Sequence, residues 1–113
     1  MELAKFEANL RASIESISDV RDLVVSKRTP VSLKASIILE REFSIAVFCN
    51  ASFAIQSFSL IHQNKRVFGI DCDNRIGWHI HPKDNPDSHV LTEERSLSDI
   101  IEMMILIYRE KRD

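Results

Sequence analysis

Apolar residues near the N-terminus recur every three or four positions: Leu3, Phe6, Leu10, Ile14 and Ile17. Charged side chains occupy the positions between them, so this pattern predicts an amphipathic helix. Ser18 and Asp19 predict either a break or a new N-cap. The same spacing then predicts a short second helical piece that carries Val20, Leu23 and Val24. Pro30 ends any helix, because proline disfavours the α conformation in the residue before it.

From Val31 onwards the apolar period changes from about 3.6 residues to two, which is the repeat of a half-buried strand. Five strands are predicted, over residues 31–39, 43–48, 53–61, 66–71 and 76–80. The gaps between them are the size of turns and contain Arg41-Glu42, Gln63-Asn64 and Asp73-Asn74. Strands that follow one another so closely predict an antiparallel meander.

The C-terminal segment predicts a capped helix after a polar loop over residues 83–95. Ser96 and Asp99 have the spacing of a capping box. One broad face of the helix is apolar and consists of Leu97, Ile100, Ile101, Met104, Ile107 and Tyr108. Further apolar residues widen it beyond one stripe: Met103, Ile105 and Leu106. Such a helix either packs deeply on the sheet or is shared with a second copy of the chain as a homo-oligomer.

The chain length and the patterns above predict one α+β domain over residues 1–113, with an N-terminal helix, an antiparallel β-meander of about five strands, and a C-terminal helix packed on the sheet. A hydrophobic fraction of 44% is ordinary for a globular protein. The net charge of -2 gives no global reason to bind nucleic acid, so any contact with RNA needs a local patch. The N-terminus lacks the apolar core of a signal peptide, and no stretch reaches the ~20 apolar residues of a membrane span.

The lack of a signal-peptide pattern and of a membrane-spanning stretch, together with the cysteines, predicts a cytoplasmic location. Cys49 and Cys72 have no CxxC spacing. We expect two buried, reduced thiols, with a disulfide between them as the alternative.

The histidines point to a candidate site between Asp71 and His89. Three of the four histidines, His79, His81 and His89, fall within eleven residues. Residues two apart on a strand point to the same side, so His79 and His81 share one face and the intervening Ile80 faces the core with Trp78. Asp71 and Asp73 end the preceding strand, and antiparallel pairing would bring them close to the histidine pair.

Several interpretations of this cluster remain open. His79 and His81, with His89 or Asp71, have ligand types suited to a divalent metal such as zinc, although the sequence requires no cofactor. Without a metal, the histidines could act as general acid and base on a phosphodiester, with Lys83 or Arg75 balancing the phosphate charge. Alternatively the cluster stabilises its loop or recognises a partner, or these are ordinary surface histidines.

The segment FSLIHQNKRVFGIDCDNRIGWHIHPKDNPDSHVLTEERSLSDIIEMM resembles the TumE family of small toxin proteins from prokaryotic toxin–antitoxin modules. The similarity lies in the order of features: a hairpin ending in Asp71, Asp73 and Asn74, then the three histidines, then the serine-led helix. It covers about residues 58–107. The resemblance implies a toxin with a cognate protein antitoxin and an attack on RNA, without assigning catalytic residues. Those roles rest on the residues themselves: His79 and His81 as an acid–base pair or metal ligands, His89 as the third group, and Asp71 as the orienting partner.

The stretch IGWHIHP also resembles the core of the JAMM metalloprotease motif, whose HxHP turn provides two zinc ligands. In that family a Ser-x-x-Asp follows after seven residues and its aspartate is the third ligand. Here the spacing lands on Val90 and Glu93, so the position of the ligand aspartate is occupied by a glutamate. Glu40 and Glu42 are candidates for the upstream catalytic glutamate by position only. The JAMM resemblance implies a zinc-dependent hydrolase with an incomplete motif, and a non-enzymatic interaction protein is the remaining alternative.

Overall fold

A computed structural model describes residues 2–82 and 90–113. Its elements, in chain order, are α1 (Leu3–Ile14), β1 (Asp22–Arg28), β2 (Ser32–Ile38), β3 (Phe43–Asn50), β4 (Ile55–His62), β5 (Lys65–Asp73), β6 (Gly77–His81), β7 (Val90–Leu91) and α2 (Leu97–Arg112). The strands form one antiparallel sheet in the order β1 to β7. The predicted α+β class and meander are thereby confirmed. Within the described ranges, no helix has the length and apolar character needed to span a bilayer.

The predicted number of strands is wrong, because the described residues form seven strands and not five. β1 lies where a second helical piece was expected, and its residues from Asp22 to Arg28 pair with β2. Val24 and Val25 are β-branched and favour a strand, so sheet pairing prevails over a weak helical spacing. β7 falls in the predicted polar loop and has only two residues, which is too short for an alternating pattern.

Two tight turns fix the centre of the meander. Arg41 and Glu42, between β2 and β3, have φ angles of 55° and 63°, and Gln63 and Asn64, between β4 and β5, have φ angles of 51° and 67°. Positive φ at both central residues is the signature of the two-residue turn whose twist matches that of antiparallel strands. Both predicted turns are therefore confirmed.

Both helices lie on the same face of the sheet. The strands contribute to this face a buried apolar layer made of Leu33, Ala35, Ile37, Phe43, Ile45, Val47, Cys49, Phe58, Leu60, Phe68 and Ile70. Phe6 of α1 lies over Phe58, with ring centroids 6.3 Å apart, and Tyr108 of α2 meets Phe43 edge-on at 5.1 Å. In the part of the chain that the structure describes, neither helix covers the opposite face, which we call the helix-free face.

Helix α2 is fixed at both ends. The Ser96 hydroxyl accepts a hydrogen bond from the Asp99 backbone N–H at 3.1 Å, which is the predicted N-cap. Near the other end, the Arg109 guanidinium donates two hydrogen bonds, of 3.0 and 2.6 Å, to the Asp19 carboxylate. Only 5% of the Asp19 side chain is exposed. The Arg109 hydrogen bond lowers the pKa of Asp19 below its ordinary value.

Replacing Asp19 with asparagine is expected to lower the free energy of unfolding at pH 7 by about 1–2 kcal/mol, because the half-exposed Arg109 loses a charged partner. A lowered carboxyl pKa stabilises the fold above the unfolded value near 4, and this stabilisation is lost as pH falls below it. The difference between wild type and Asp19→Asn should therefore shrink at pH 3. Urea titrations followed by Trp78 fluorescence measure it, with Glu102→Gln on the exposed side of α2 as control. An undiminished difference at pH 3 would contradict the assignment.

Candidate active site

The turn between β5 and β6 sets the register of the candidate site. The Asp73 carboxylate accepts hydrogen bonds from the backbone N–H groups of Arg75 at 2.8 Å and Ile76 at 2.7 Å. These two hydrogen bonds lower the pKa of Asp73. Gly77 follows with a φ of 78°, a conformation that glycine adopts without steric cost. The turn places His79 directly opposite Asp71, and a slip of one residue would move the side chains to the other face.

Asp71, His79 and His81 converge on the helix-free face. His81 Nε2 lies 2.9 Å from Asp71 Oδ2, and His79 Nε2 lies 3.8 Å from the same oxygen. The two imidazole rings meet nearly edge to face, with centroids 5.2 Å apart. One nitrogen from each histidine and one carboxylate oxygen all lie within 4.8 Å of one another. The structure thus brings together three of the four residues that the sequence singled out.

The orientation of His79 is fixed by its own strand. Its Nδ1 lies 3.1 Å from the Gly77 carbonyl oxygen. A carbonyl oxygen only accepts, so Nδ1 carries the hydrogen of this bond. In the neutral ring, Nε2 is then the acceptor nitrogen, and it is this nitrogen that faces Asp71. In this tautomer His79 Nε2 is the ring nitrogen that can accept a proton or bind a metal.

Two side chains that the sequence analysis did not place at the site hold the carboxylate of Asp71. Ser57, directly opposite Asp71 on β4, donates its hydroxyl hydrogen to Oδ1 over 2.8 Å. Arg66 Nη2 lies 3.1 Å from both carboxylate oxygens. We call Ser57, Arg66, Asp71, His79 and His81 the Asp71 cluster. Both oxygens of Asp71 thus face hydrogen-bond donors or an imidazole nitrogen.

A β-bulge brings Arg66 to this face. Arg66 is five residues before Asp71, and in a regular strand an odd separation puts two side chains on opposite faces. The pairing of β4 with β5 shifts register between Leu60 and Ile61, so β5 has one extra residue. The bulge restores Arg66 to the helix-free face, where its guanidinium lies over Gly69.

The imidazoles are buried, although they point away from the helices. His79 is 3% exposed and His81 is 7% exposed. The alternation predicted by the sequence is present, since Trp78 and Ile80 pack against the core on the opposite side. The interpretation as ordinary surface histidines is therefore wrong for His79 and His81. Asp71 and Arg66 are more open, with side chains 17% and 30% exposed.

Other candidates lie elsewhere or outside the described residues. His89 and Lys83 are outside them. Arg75 is in the β5–β6 turn. Glu40 pairs with Arg21, and Glu42 accepts a hydrogen bond from Gln63, so both are engaged around the β2–β3 turn.

The cysteines are not activated nucleophiles. Neither cysteine forms a disulfide, as predicted, but the predicted burial holds only for Cys49, because Cys72 is half-buried. Burial raises the pKa of Cys49 to about 11 and also raises the pKa of Cys72. Both thiols therefore stay protonated near neutral pH, and the thiolate is the reactive form.

The donor set of Asp71, His79 and His81 fits zinc. Zinc bonds of about 2.0–2.2 Å in a tetrahedral site separate the ligand atoms by about 3.3–3.6 Å. The observed separations from Asp71 Oδ2, 2.9 Å to His81 and 3.8 Å to His79, lie on either side of this range. A zinc ion held here would act as a Lewis acid and activate water. Asp71 would be the third ligand, from an upstream strand and not from the downstream position of the JAMM motif.

Comparison with known proteins gives no relative for this chain: no protein-family model, curated protein or solved structure matches it.

Proposed function

We propose that this chain is a toxin-like component of a prokaryotic toxin–antitoxin module and that it cleaves RNA at the Asp71 cluster. The observation that supports the proposal is the convergence of two imidazoles and a carboxylate, with an arginine on the same carboxylate. These groups can transfer protons and balance phosphate charge. The order of motifs that resembles the TumE family supplies the toxin context, and a protein antitoxin is the partner that goes with it.

Cleavage of RNA by its own 2′-hydroxyl needs little more than these groups. The 2′-oxygen attacks phosphorus, the P–O5′ bond breaks, and a 2′,3′-cyclic phosphate and a 5′-hydroxyl result. A base must take the proton of the 2′-hydroxyl, and an acid must give one to O5′. We assign the base to His79, whose Nε2 is an acceptor, and the acid to His81 beside Asp71. RNA would approach from the side of Arg66 and Asp71, the more exposed members.

Expression in a bacterial host that lacks the antitoxin tests the proposal. Wild type is expected to stop growth and deplete RNA, and His81→Ala is expected to slow cleavage by about 100-fold or more through loss of the acid. His62→Ala is the matched control, since His62 stacks on Phe43 on the other side of the sheet. Equal growth with all three proteins, and intact RNA throughout, would contradict the toxin proposal. A purely structural cluster would show the same result.

A zinc-dependent hydrolase is the second candidate function, favoured by the 4.8 Å grouping of the three ligand atoms. It ranks second because Arg66 and Ser57 already occupy the carboxylate that a metal would need. Elemental analysis of the same purified proteins separates the two candidates. One zinc per chain in wild type, absent from His81→Ala, would establish the metal site, and no zinc after loading would remove it.

A further inference from the structure

We infer that Arg66 is the group that binds the substrate's phosphate, and that Gly69 is a positioning residue that keeps the guanidinium of Arg66 at the Asp71 cluster. The identity of this phosphate as part of RNA rests on the proposed function. Neither residue was predicted to lie with Asp71 and the histidines, and both lie on β5 beside Asp71.

Arg66 contacts Asp71 through a single nitrogen of its guanidinium. Within residues 2–82 and 90–113, its hydrogen bonds run from one nitrogen, Nη2, which is shared between the two oxygens of Asp71. This is not the two-pronged pairing in which two guanidinium nitrogens each donate to one carboxylate oxygen. In the same part of the chain, the buried Nε has no hydrogen-bond partner. Because Nε is closed to solvent, the donors that Arg66 can offer a ligand are those of its Nη atoms, while Asp71 fixes its position.

Arg66 is the member of the cluster that is both positively charged and open to solvent. The Arg66 side chain is 30% exposed, whereas the imidazoles are almost wholly buried. An anion that approaches the cluster therefore meets the guanidinium before it meets the proton-transfer groups. Guanidinium suits phosphate, because its planar array of N–H donors matches two phosphate oxygens and its charge is permanent. A phosphate held by Arg66 would lie beside the imidazoles.

Gly69 lies directly opposite His81 on the neighbouring strand, β6. A Cβ atom at this position would collide with the guanidinium of Arg66. The backbone of Gly69 does not have positive φ, so glycine is not needed there for its conformation. A glycine inside a strand commonly marks a close approach of another group. Here that group is the flexible end of a side chain, so alanine would displace Arg66 from Asp71 and leave the strand in place.

Titration of the purified protein with inorganic phosphate, followed by the NMR shifts of the Gly69 amide and the Arg66 Nε–H, tests the inference without requiring catalysis. Wild type should show saturable shifts. In the variants at positions 66 and 69, the shifts are followed at the His79 and His81 amides instead. Arg66→Gln and Gly69→Ala should each weaken phosphate binding by about tenfold or more, since a charged hydrogen-bond donor is removed or displaced. Arg66→Lys, which keeps the charge without the planar fork, should lie between them and wild type. Arg75→Gln, in the exposed turn of the same hairpin, is the control and should bind like wild type.

In cleavage assays, the variants at Arg66 and Gly69 should raise the KM for RNA more than they lower kcat, which a purely structural role would not do.

Each result decides the inference separately from the proposed function. Phosphate binding that depends on Arg66 and Gly69 supports the inference even where wild type leaves RNA intact, which defeats only the proposed cleavage. RNA cleavage by wild type with equal phosphate binding by Arg66→Gln overturns the inference and leaves the proposed function standing. Absence of phosphate binding by wild type also overturns it. If Gly69→Ala unfolds, as Trp78 fluorescence would show, the result disproves the positioning role, and Arg66→Gln alone decides the phosphate-binding role.

Discussion

Under the proposed function, replacing Asp71 with alanine is expected to slow RNA cleavage by about 100-fold or more, because it removes the group that we assign to orient the acid. The same change should lower the free energy of unfolding by about 1–3 kcal/mol, since Arg66 and His81 would lose a partner in a mostly buried setting. Cleavage of a labelled single-stranded RNA measures the first effect, and urea titration measures the second. Asp71→Asn keeps the shape of the side chain and removes its charge, so it should impair cleavage with a smaller loss of stability.

The matched control is Asp22→Ala, which removes an exposed carboxylate at the start of β1, on the edge of the sheet away from β5 and β6. It should leave cleavage unchanged. Undiminished cleavage by Asp71→Ala would show that the carboxylate has no part in the reaction. A loss of cleavage by Asp71→Ala with undisturbed activity in Asp71→Asn would assign its role to hydrogen bonding and shape, not to charge.

Replacing Phe58 with alanine is expected to lower the free energy of unfolding by about 3–5 kcal/mol, the largest change in stability that we predict. Phe58 is fully buried between the sheet and α1, so its removal leaves a cavity next to Phe6. Phe48, on the neighbouring strand, points to the helix-free face and is only partly buried. Phe48→Ala should therefore cost less than about 1.5 kcal/mol.

Urea titrations of the two phenylalanine variants, followed by Trp78 fluorescence, make this comparison. Equal denaturant slopes would show that the variants unfold from similarly compact states, so that the midpoints report stability. A cost at Phe48 as large as that at Phe58 would mean that the helix-free face is as tightly covered as the core face. The distinction between the two faces of the sheet would then be wrong.

The central meander was predictable because its signals are local. Alternation over the middle strands identifies the two faces, and the residues at Arg41-Glu42 and Gln63-Asn64 mark the turns. β1 was mistaken for a helix because Val20, Leu23 and Val24 also fit a helical spacing, and only pairing with β2 decides between the two structures. A two-residue strand such as β7 has no period to detect.

The site was partly predictable for the same reason. The HxH spacing and the Asp73 turn indicate that Asp71 shares a face with His79 and His81. The register of β5 and β6 confirms this. Arg66 could not be placed there, because its odd separation from Asp71 predicts the opposite face and the β-bulge leaves no clear mark in the sequence. Gly69 was the available signal, since a glycine within a strand indicates close approach. Ser57 enters only through the pairing of β4 with β5.

The β5–β6 hairpin, residues 65–81, carries every member of the Asp71 cluster except Ser57. The chain between Asp71 and His79 closes a short loop, and the entropy lost in closing a loop grows with its length. Contacts between residues close in the chain also form fast during folding. The geometry that brings Asp71 to the histidines can therefore assemble before the meander is complete. The cluster, apart from Ser57, therefore depends on one short contiguous segment of the chain.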